Sequence, residues 1–246
     1  MPAYFITGTG TDIGKTWLSC ALLRYWRGWG RAVRAFKPVL SGFDAAHAAA
    51  SDAGQLLAAL GREVDVATLD EIAPWRFVAP LSPDMAAARE GRAIDVAALI
   101  AFTRRAAIHN GEESGVGADT LSRSRPISAD FLTLVEGVGG AMAPLDAQHT
   151  VRDWIAASGL PCVLVTGSYL GSLSHALTAL AALRAVAAPV AAIAVNETPA
   201  ATVGLDETLA TLRQHAGATP VIAIVRAAPQ AGVAALAEKL METLKR

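Results

Sequence analysis

Along this chain, short apolar runs alternate with longer stretches in which apolar residues recur at helical spacing. The runs fall at residues 3–7, 32–39, 131–136, 162–166, 190–196 and 221–225. The helical stretches fall between them, at residues 15–26, 95–108, 173–186, 206–214 and 233–244. Strand and helix in alternation predict βαβ units, and so a parallel sheet. The expected fold is α/β, a doubly wound, mostly parallel sheet flanked by helices, with ligands bound at the carboxyl ends of the strands.

Composition narrows this picture. The 246 residues are 53% hydrophobic and 17% charged, which suits one sizeable domain over residues 1–246 with strands buried on both faces. With 21 basic residues against 22 acidic ones and a net charge of −1, there is no basic field to attract nucleic acid or an anionic membrane. A small-molecule partner is the expectation. The two cysteines, Cys20 and Cys162, sit in apolar segments without metal-ligand spacing and read as buried thiols in a reducing compartment. No apolar segment reaches the roughly 18 residues that would span a bilayer, so a cytoplasmic protein is expected. One segment breaks the alternation: residues 109–128, HNGEESGVGADTLSRSRPIS, are polar, rich in Gly and Ser, and aperiodic. They read as a flexible surface loop, with a mobile lid as the functional alternative.

The chemistry begins directly after the first strand, at Gly8-Thr9-Gly10-Thr11-Asp12-Ile13-Gly14-Lys15-Thr16. Glycines let successive backbone N–H groups turn toward a polyphosphate, and the following helix adds its positive end. Lys15 would then reach the β- and γ-phosphates and the Thr16 hydroxyl would hold magnesium. Five residues separate Gly8 from Gly14 where the general pattern has four. The Gly-Lys-Thr end and the strand-before, helix-after context fit the phosphate-binding loop.

Other polar residues gather at predicted strand ends. Of the 21 basic residues only Lys15, Lys37, Lys239 and Lys245 are lysines. Lys37 ends the run Arg34-Ala35-Phe36-Lys37, where a cation could neutralise charge developing during phosphoryl transfer; the plainer reading is a lysine snorkelling at the sheet edge. Glu136 closes another strand and leads into Gly137-Val138-Gly139-Gly140, a fitting place for a magnesium-binding carboxylate. Asp52, in Ser51-Asp52-Ala53-Gly54, reads first as an ordinary helix amino terminus. His175 reads as a structural polar residue rather than a catalyst, and no serine–histidine–acid arrangement can be made from the spacing.

Taken together the motifs resemble the dethiobiotin synthetase family. Five blocks carry the resemblance over nearly the whole chain: residues 7–16 with the odd glycine spacing; Lys37-Pro38-Val39-Leu40-Ser41-Gly42; Pro80-Leu81-Ser82-Pro83 with Arg89-Glu90-Gly91; residues 135–140 with Pro144-Leu145; and Gly171-Ser172-Leu173-Ser174-His175-Ala176. The resemblance implies a homodimeric ligase of the P-loop NTPase type that uses Mg2+ and ATP. It would close the ureido ring of dethiobiotin from 7,8-diaminononanoate and CO2, through a carbamate and a carbamic-phosphoric anhydride. It also implies roles, position by position. Lys15, Lys37, Thr11 and Ser41 would handle carbamate and transferring phosphate. Asp12, Ile13, Gly14, Trp17, Gly137 and Gly139 would contact nucleotide, and Asn196 would meet the adenine edge. Thr16, Asp52 and Glu136 would hold magnesium. Substrate would touch Gly139 and, across the dimer, the backbone of Gly171, Ser172, Leu173 and Ser174.

Three positions depart from the family pattern. Asp12 stands where Glu is common, Ser174 where Asn is expected, and Arg226-Ala227-Ala228 where the family usually offers a Gly-Glu-x-Pro type segment. A competing reading is a nucleotide-switch ATPase of the partitioning or division-site type, but those proteins carry an extra lysine early in the loop, where Gly10 stands here. No Asn-Lys-x-Asp segment supports a GTPase. Another amide- or ureido-forming ligase on the same scaffold is the nearer alternative.

Overall fold

The computed structural model describes residues 2–108 and 131–242. The first strand, β1 (Ala3–Gly8), is buried at all six positions and leads through the glycine loop into α1 (Lys15–Gly28). Then come β2 (Val33–Phe36), β3 (Val39–Ser41), a 3-10 helix (Ala45–Ala50), α2 (Asp52–Leu60), α3 (Val66–Ile72), β4 (Trp75–Phe77), α4 (Pro83–Arg89) and α5 (Val96–Ile108). The second half runs β5 (Leu132–Glu136), α6 (Val151–Ser158), β6 (Cys162–Gly167), α7 (Ser172–Ala185), β7 (Val190–Asn196), α8 (Leu205–His215), β8 (Val221–Ile224) and α9 (Pro229–Glu242).

Six strands form a parallel sheet in the order β2-β5-β1-β6-β7-β8. Each of the six apolar runs supplies one of them. Because alternate side chains of a strand leave by opposite faces, the sheet divides the core in two. Phe5, Val135 and Leu164 pack with Leu99, Trp154, Leu180 and Leu212 on one face. Tyr4, Ile6, Leu134 and Val163 pack with Leu18, Leu22, Leu56 and Leu236 on the other. Helices on both faces are what a fully buried parallel sheet requires. Both cysteines are buried free thiols, and burial pushes them up to about 11 for Cys20 and about 12 for Cys162.

One expectation needs correction. Residues 32–39 do not form a single strand. β2 ends at Phe36, paired with Val135; the Lys37 amide then donates to Ile72 O at 2.9 Å. Pro38 has no amide hydrogen to continue a ladder. Beyond it β3 pairs with β4 in a separate two-stranded parallel sheet. Pro38 thus turns the chain out of the large sheet and carries Ser41 across the carboxyl ends of its strands. The expected helix start at Ser51-Asp52 is present, with Ser51 Oγ accepting from the Gly54 amide at 3.1 Å. The loop expected at residues 109–128 lies outside the described residues. No helix among the described residues is long and apolar enough to cross a membrane.

The layer opposite α1 holds a polar contact that packing makes costly to lose. Trp154, fully buried, meets Phe5 edge-on at 4.7 Å and donates its indole N–H to Thr103 Oγ1 at 2.9 Å. The Thr103 hydroxyl in turn donates to Leu99 O at 2.9 Å. Thr103→Val removes the acceptor and leaves a buried N–H unpaired, so unfolding free energy should fall by about 1–3 kcal/mol. Urea denaturation beside Thr103→Ser, which keeps the hydroxyl, checks this; equal stability of the two variants would refute it.

Candidate functional site

At the carboxyl edge of the sheet, register brings three strand ends level. Ile6 pairs with Glu136, and Phe36 with Val135, so the residue after Phe36, Lys37, emerges beside Glu136. Lys37 Nζ lies 2.8 Å from Glu136 Oε1, 2.9 Å from Asp52 Oδ2 and 2.8 Å from Gly137 O. The Lys37 and Glu136 side chains are 2% and 1% exposed. Neither a snorkelling lysine nor a simple strand-end charge fits that burial. Glu136 also accepts from Thr16 Oγ1 at 2.6 Å and from Ser19 Oγ at 2.7 Å. Burial works against the Lys37 ammonium, but Glu136 and Asp52 outweigh it and hold its pKa above the ordinary lysine value. Burial likewise works against the Asp52 carboxylate, and Lys37 outweighs it, holding Asp52 below the usual carboxylate range. Each of these two groups is thereby favoured in its charged form.

The loop beneath is shaped for an anion. Gly14 sits at φ +88°, and a Cβ there would come 2.5 Å from Asn196 Nδ2, so the glycine is required by both conformation and space. The first α1 amide with a helical acceptor is that of Leu18, bonded to Gly14 O at 3.0 Å. The N–H groups of Lys15, Thr16 and Trp17 have no intrahelical acceptor and lie at the positive end of the helix. Lys15 is buried and rests with Nζ 2.6 Å from Gly10 O. Burial, and then the like charge of Lys37, lower it to about 8. Two buried cations share the site, an arrangement a polyanion relieves.

Two cavities meet over this loop, with Thr11, Asp12, Gly14 and Trp17 lining both. One, of about 820 Å³, is lined by Lys15, Thr16, Lys37, Ser41, Asp52 and Gly139 among others. Ser41 Oγ is buried there without a partner. The other, of about 760 Å³, is lined by Ile13, Asn196, Tyr169, Glu197 and Arg226 among others. Asn196 Nδ2 donates to Ile13 O at 2.7 Å, while its Oδ1 is buried and unpartnered. An unpartnered amide acceptor on a residue that lines a cavity suits an exocyclic amino group.

A divalent cation can be tested against the donors present. Thr16, Glu136 and Asp52 offer one hydroxyl and two carboxylates, with the Thr16 hydroxyl donating to Glu136 Oε1 at 2.6 Å. This all-oxygen set suits magnesium. Among the described residues no group of three or more His, Cys, Asp or Glu side chains could hold a metal, so the remaining ligands would be phosphate oxygens and water, as magnesium prefers.

The structure brings together every expected loop residue, Lys37, Ser41, Asp52, Glu136 and Asn196. It does not bring Gly171–Ser174 into either cavity: they start α7, and Ser172 Oγ is buried without a partner. His175 bonds Tyr169 through Nδ1 at 2.9 Å. Sequence reasoning missed Ser19, whose place one helical turn beyond Lys15 could have suggested it, and Glu197, which directly follows the strand-ending Asn196.

Comparison with known proteins adds a family. Residues 2–233 match the family model described as an AAA domain. The chain is 46% identical to the ATP-dependent dethiobiotin synthetase BioD of Acidiphilium cryptum, covering 89% of this chain and 91% of that one. It is 44% identical to the protein of the same name from Phenylobacterium zucineum, covering 99% and 95%. Among solved structures, the MinC:MinD cell division protein complex of Aquifex aeolicus aligns with a TM-score of 0.54 at 10% identity, covering 100% of this chain and 96% of that one; at that identity it supports the fold alone.

The buried ion pair makes a stability prediction. Lys37→Met leaves Glu136 charged and buried and should cost about 3–5 kcal/mol. Adding Glu136→Gln should return part of that loss. Urea unfolding of both single variants and the double variant measures the coupling, and simple additivity would show that the pair is not interacting.

Proposed function

We propose, from the premise that this chain belongs to the ATP-dependent dethiobiotin synthetase family, how its residues carry out the family's reaction. The enzyme converts 7,8-diaminononanoate, CO2 and ATP to dethiobiotin, ADP and phosphate. One amine of the substrate adds to CO2, losing a proton, and gives a carbamate. A carbamate oxygen attacks the γ-phosphorus, the bond to the bridging oxygen of ADP breaks, and a carbamic-phosphoric anhydride forms. The second amine attacks the carbamoyl carbon, the C–O bond to phosphate breaks, and the ureido ring closes. Little covalent work falls to the protein, so positioning and charge stabilisation carry the rate.

The observation that carries this reading is the convergence of Lys15, Lys37 and the partnerless Ser41 hydroxyl on one cavity. The Lys15 ammonium leaves Gly10 O for the β- and γ-phosphate oxygens. Lys37, held charged by Glu136 and Asp52, faces the carbamate and the transferring phosphoryl group. Ser41 and Thr11 donate hydrogen bonds to the same oxygens, and the amides around Gly139 border the substrate. Thr16, Asp52 and Glu136 would hold Mg2+, which would supply neutralising charge to the phosphates. The base lies in the second cavity, its amino group on Asn196 Oδ1, with Asp12, Ile13, Gly14 and Trp17 lining the way; Gly137, expected at the nucleotide, lines neither cavity and instead accepts from Lys37 Nζ at 2.8 Å.

The protein works as a one-domain homodimer in the cytoplasm. The tail carboxylate of the diamine meets the amino end of α7 from a second copy, where Gly171, Ser172, Leu173 and Ser174 offer amides and the Ser172 hydroxyl lacks a partner.

Phosphate release from ATP and Mg2+ with 7,8-diaminononanoate and bicarbonate should depend on the diamine and match dethiobiotin measured by mass spectrometry. Hydrolysis indifferent to the diamine, with no dethiobiotin, would transfer the site to another ligase or a nucleotide switch. In the same assay Lys37→Gln should lower turnover at least about a hundredfold, the order lost with one transition-state charge donor. Near-normal turnover would remove Lys37 from the mechanism.

A further inference from the structure

We propose that Arg226 reads the base of the bound nucleotide and that, beside Asn196, it lets this site take guanosine as well as adenosine nucleotides. The inference rests on the nucleotide site described above. Asn196 has one of its two Nδ2 hydrogens committed to Ile13 O at 2.7 Å, and its Oδ1 has no partner. That acceptor matches the amino group of adenine. Toward guanine it faces the lone pairs of O6.

Arg226 is the only arginine lining either of the two cavities over the loop, and it lines the one that Asn196 also lines. Its backbone is fixed: the Arg226 amide donates to Glu197 Oε2 at 2.8 Å, and the Glu197 amide donates to Ile224 O at 3.0 Å. This ties its root to the ends of β7 and β8. Its guanidinium forms no salt bridge among the described residues, whereas Arg62, Arg76, Arg92 and Arg152 are each held by a carboxylate. A planar donor fork matches O6 and N7 of guanine together, the commonest specific pairing of arginine with a base. Adenine offers that fork N7 alone, beside an amino group that also donates. Two readers with opposite preferences therefore line one cavity. Trp17, 45% exposed on the same wall, provides an aromatic face on which either purine can stack.

Equilibrium binding of ADP and GDP, each with Mg2+, to the wild-type chain and to Arg226→Ala tests this by calorimetry. GDP should bind the wild type, and the ratio of the GDP to the ADP dissociation constant should rise at least about fivefold in the variant, the lower end of what one bidentate base contact discriminates. No GDP binding to the wild type, or a smaller change in the ratio, overturns the proposal. Arg226→Lys keeps the charge without the fork and should move the ratio in the same direction; a ratio equal to that of the wild type would overturn the bidentate geometry. Because binding is read without the diamine, failure of the synthetase assay leaves this result standing. Absence of ADP binding would overturn both readings.

Discussion

A buried ammonium must be neutralised where it lies, and the Lys37 ammonium is neutralised by carboxylates from two other parts of the chain. Glu136 comes from the end of β5 and Asp52 from the first turn of α2; Glu136 is held in turn by Thr16 and Ser19 of α1. One cation thus ties four elements together at the carboxyl edge of the sheet. Burial makes each of these charges expensive alone and strong in company. The phosphate loop is part of the same knot, because Thr16 follows Lys15 directly. Anything that shifts Lys37 is felt at the loop.

The rest of the site follows from where the sheet must stop. β2 ends one residue before Lys37, and Pro38 directs the chain away from the large sheet. The cation is left at the floor of a cavity, and the departing segment becomes its wall, with Ser41 on it. A single backbone event therefore places the lysine beneath the cavity and builds one of the cavity's walls. The same economy appears at Asn196, where one amide group both steadies Ile13 of the loop and presents an open acceptor.

Much of this was legible in the sequence, because βαβ periodicity and loop chemistry are local. The six strands of the large sheet, the phosphate loop, the strand-ending Glu136 and the cap at Ser51 each announce themselves within a few residues. What was not legible depends on partners far along the chain. The small sheet of β3 and β4 pairs residues 39–41 with 75–77, and three-residue strands carry no periodicity to detect. Asp52 reads as an ordinary helix start because it is one; that it also meets Lys37 is a matter of how α2 packs. Ser19 reads as one polar residue in a helix until Glu136 is placed beside it.

The same reasoning separates fold from chemistry. A division-protein complex shares the architecture at 10% identity, so six parallel strands and a glycine loop fix only where an anion can sit. Early in this loop stands Gly10, whose carbonyl serves as the resting partner of Lys15. The second cation comes from the end of β2, anchored to both acids that could hold a metal. A cation tied to the sheet edge by two carboxylates is held in place beside whatever occupies the adjoining cavity.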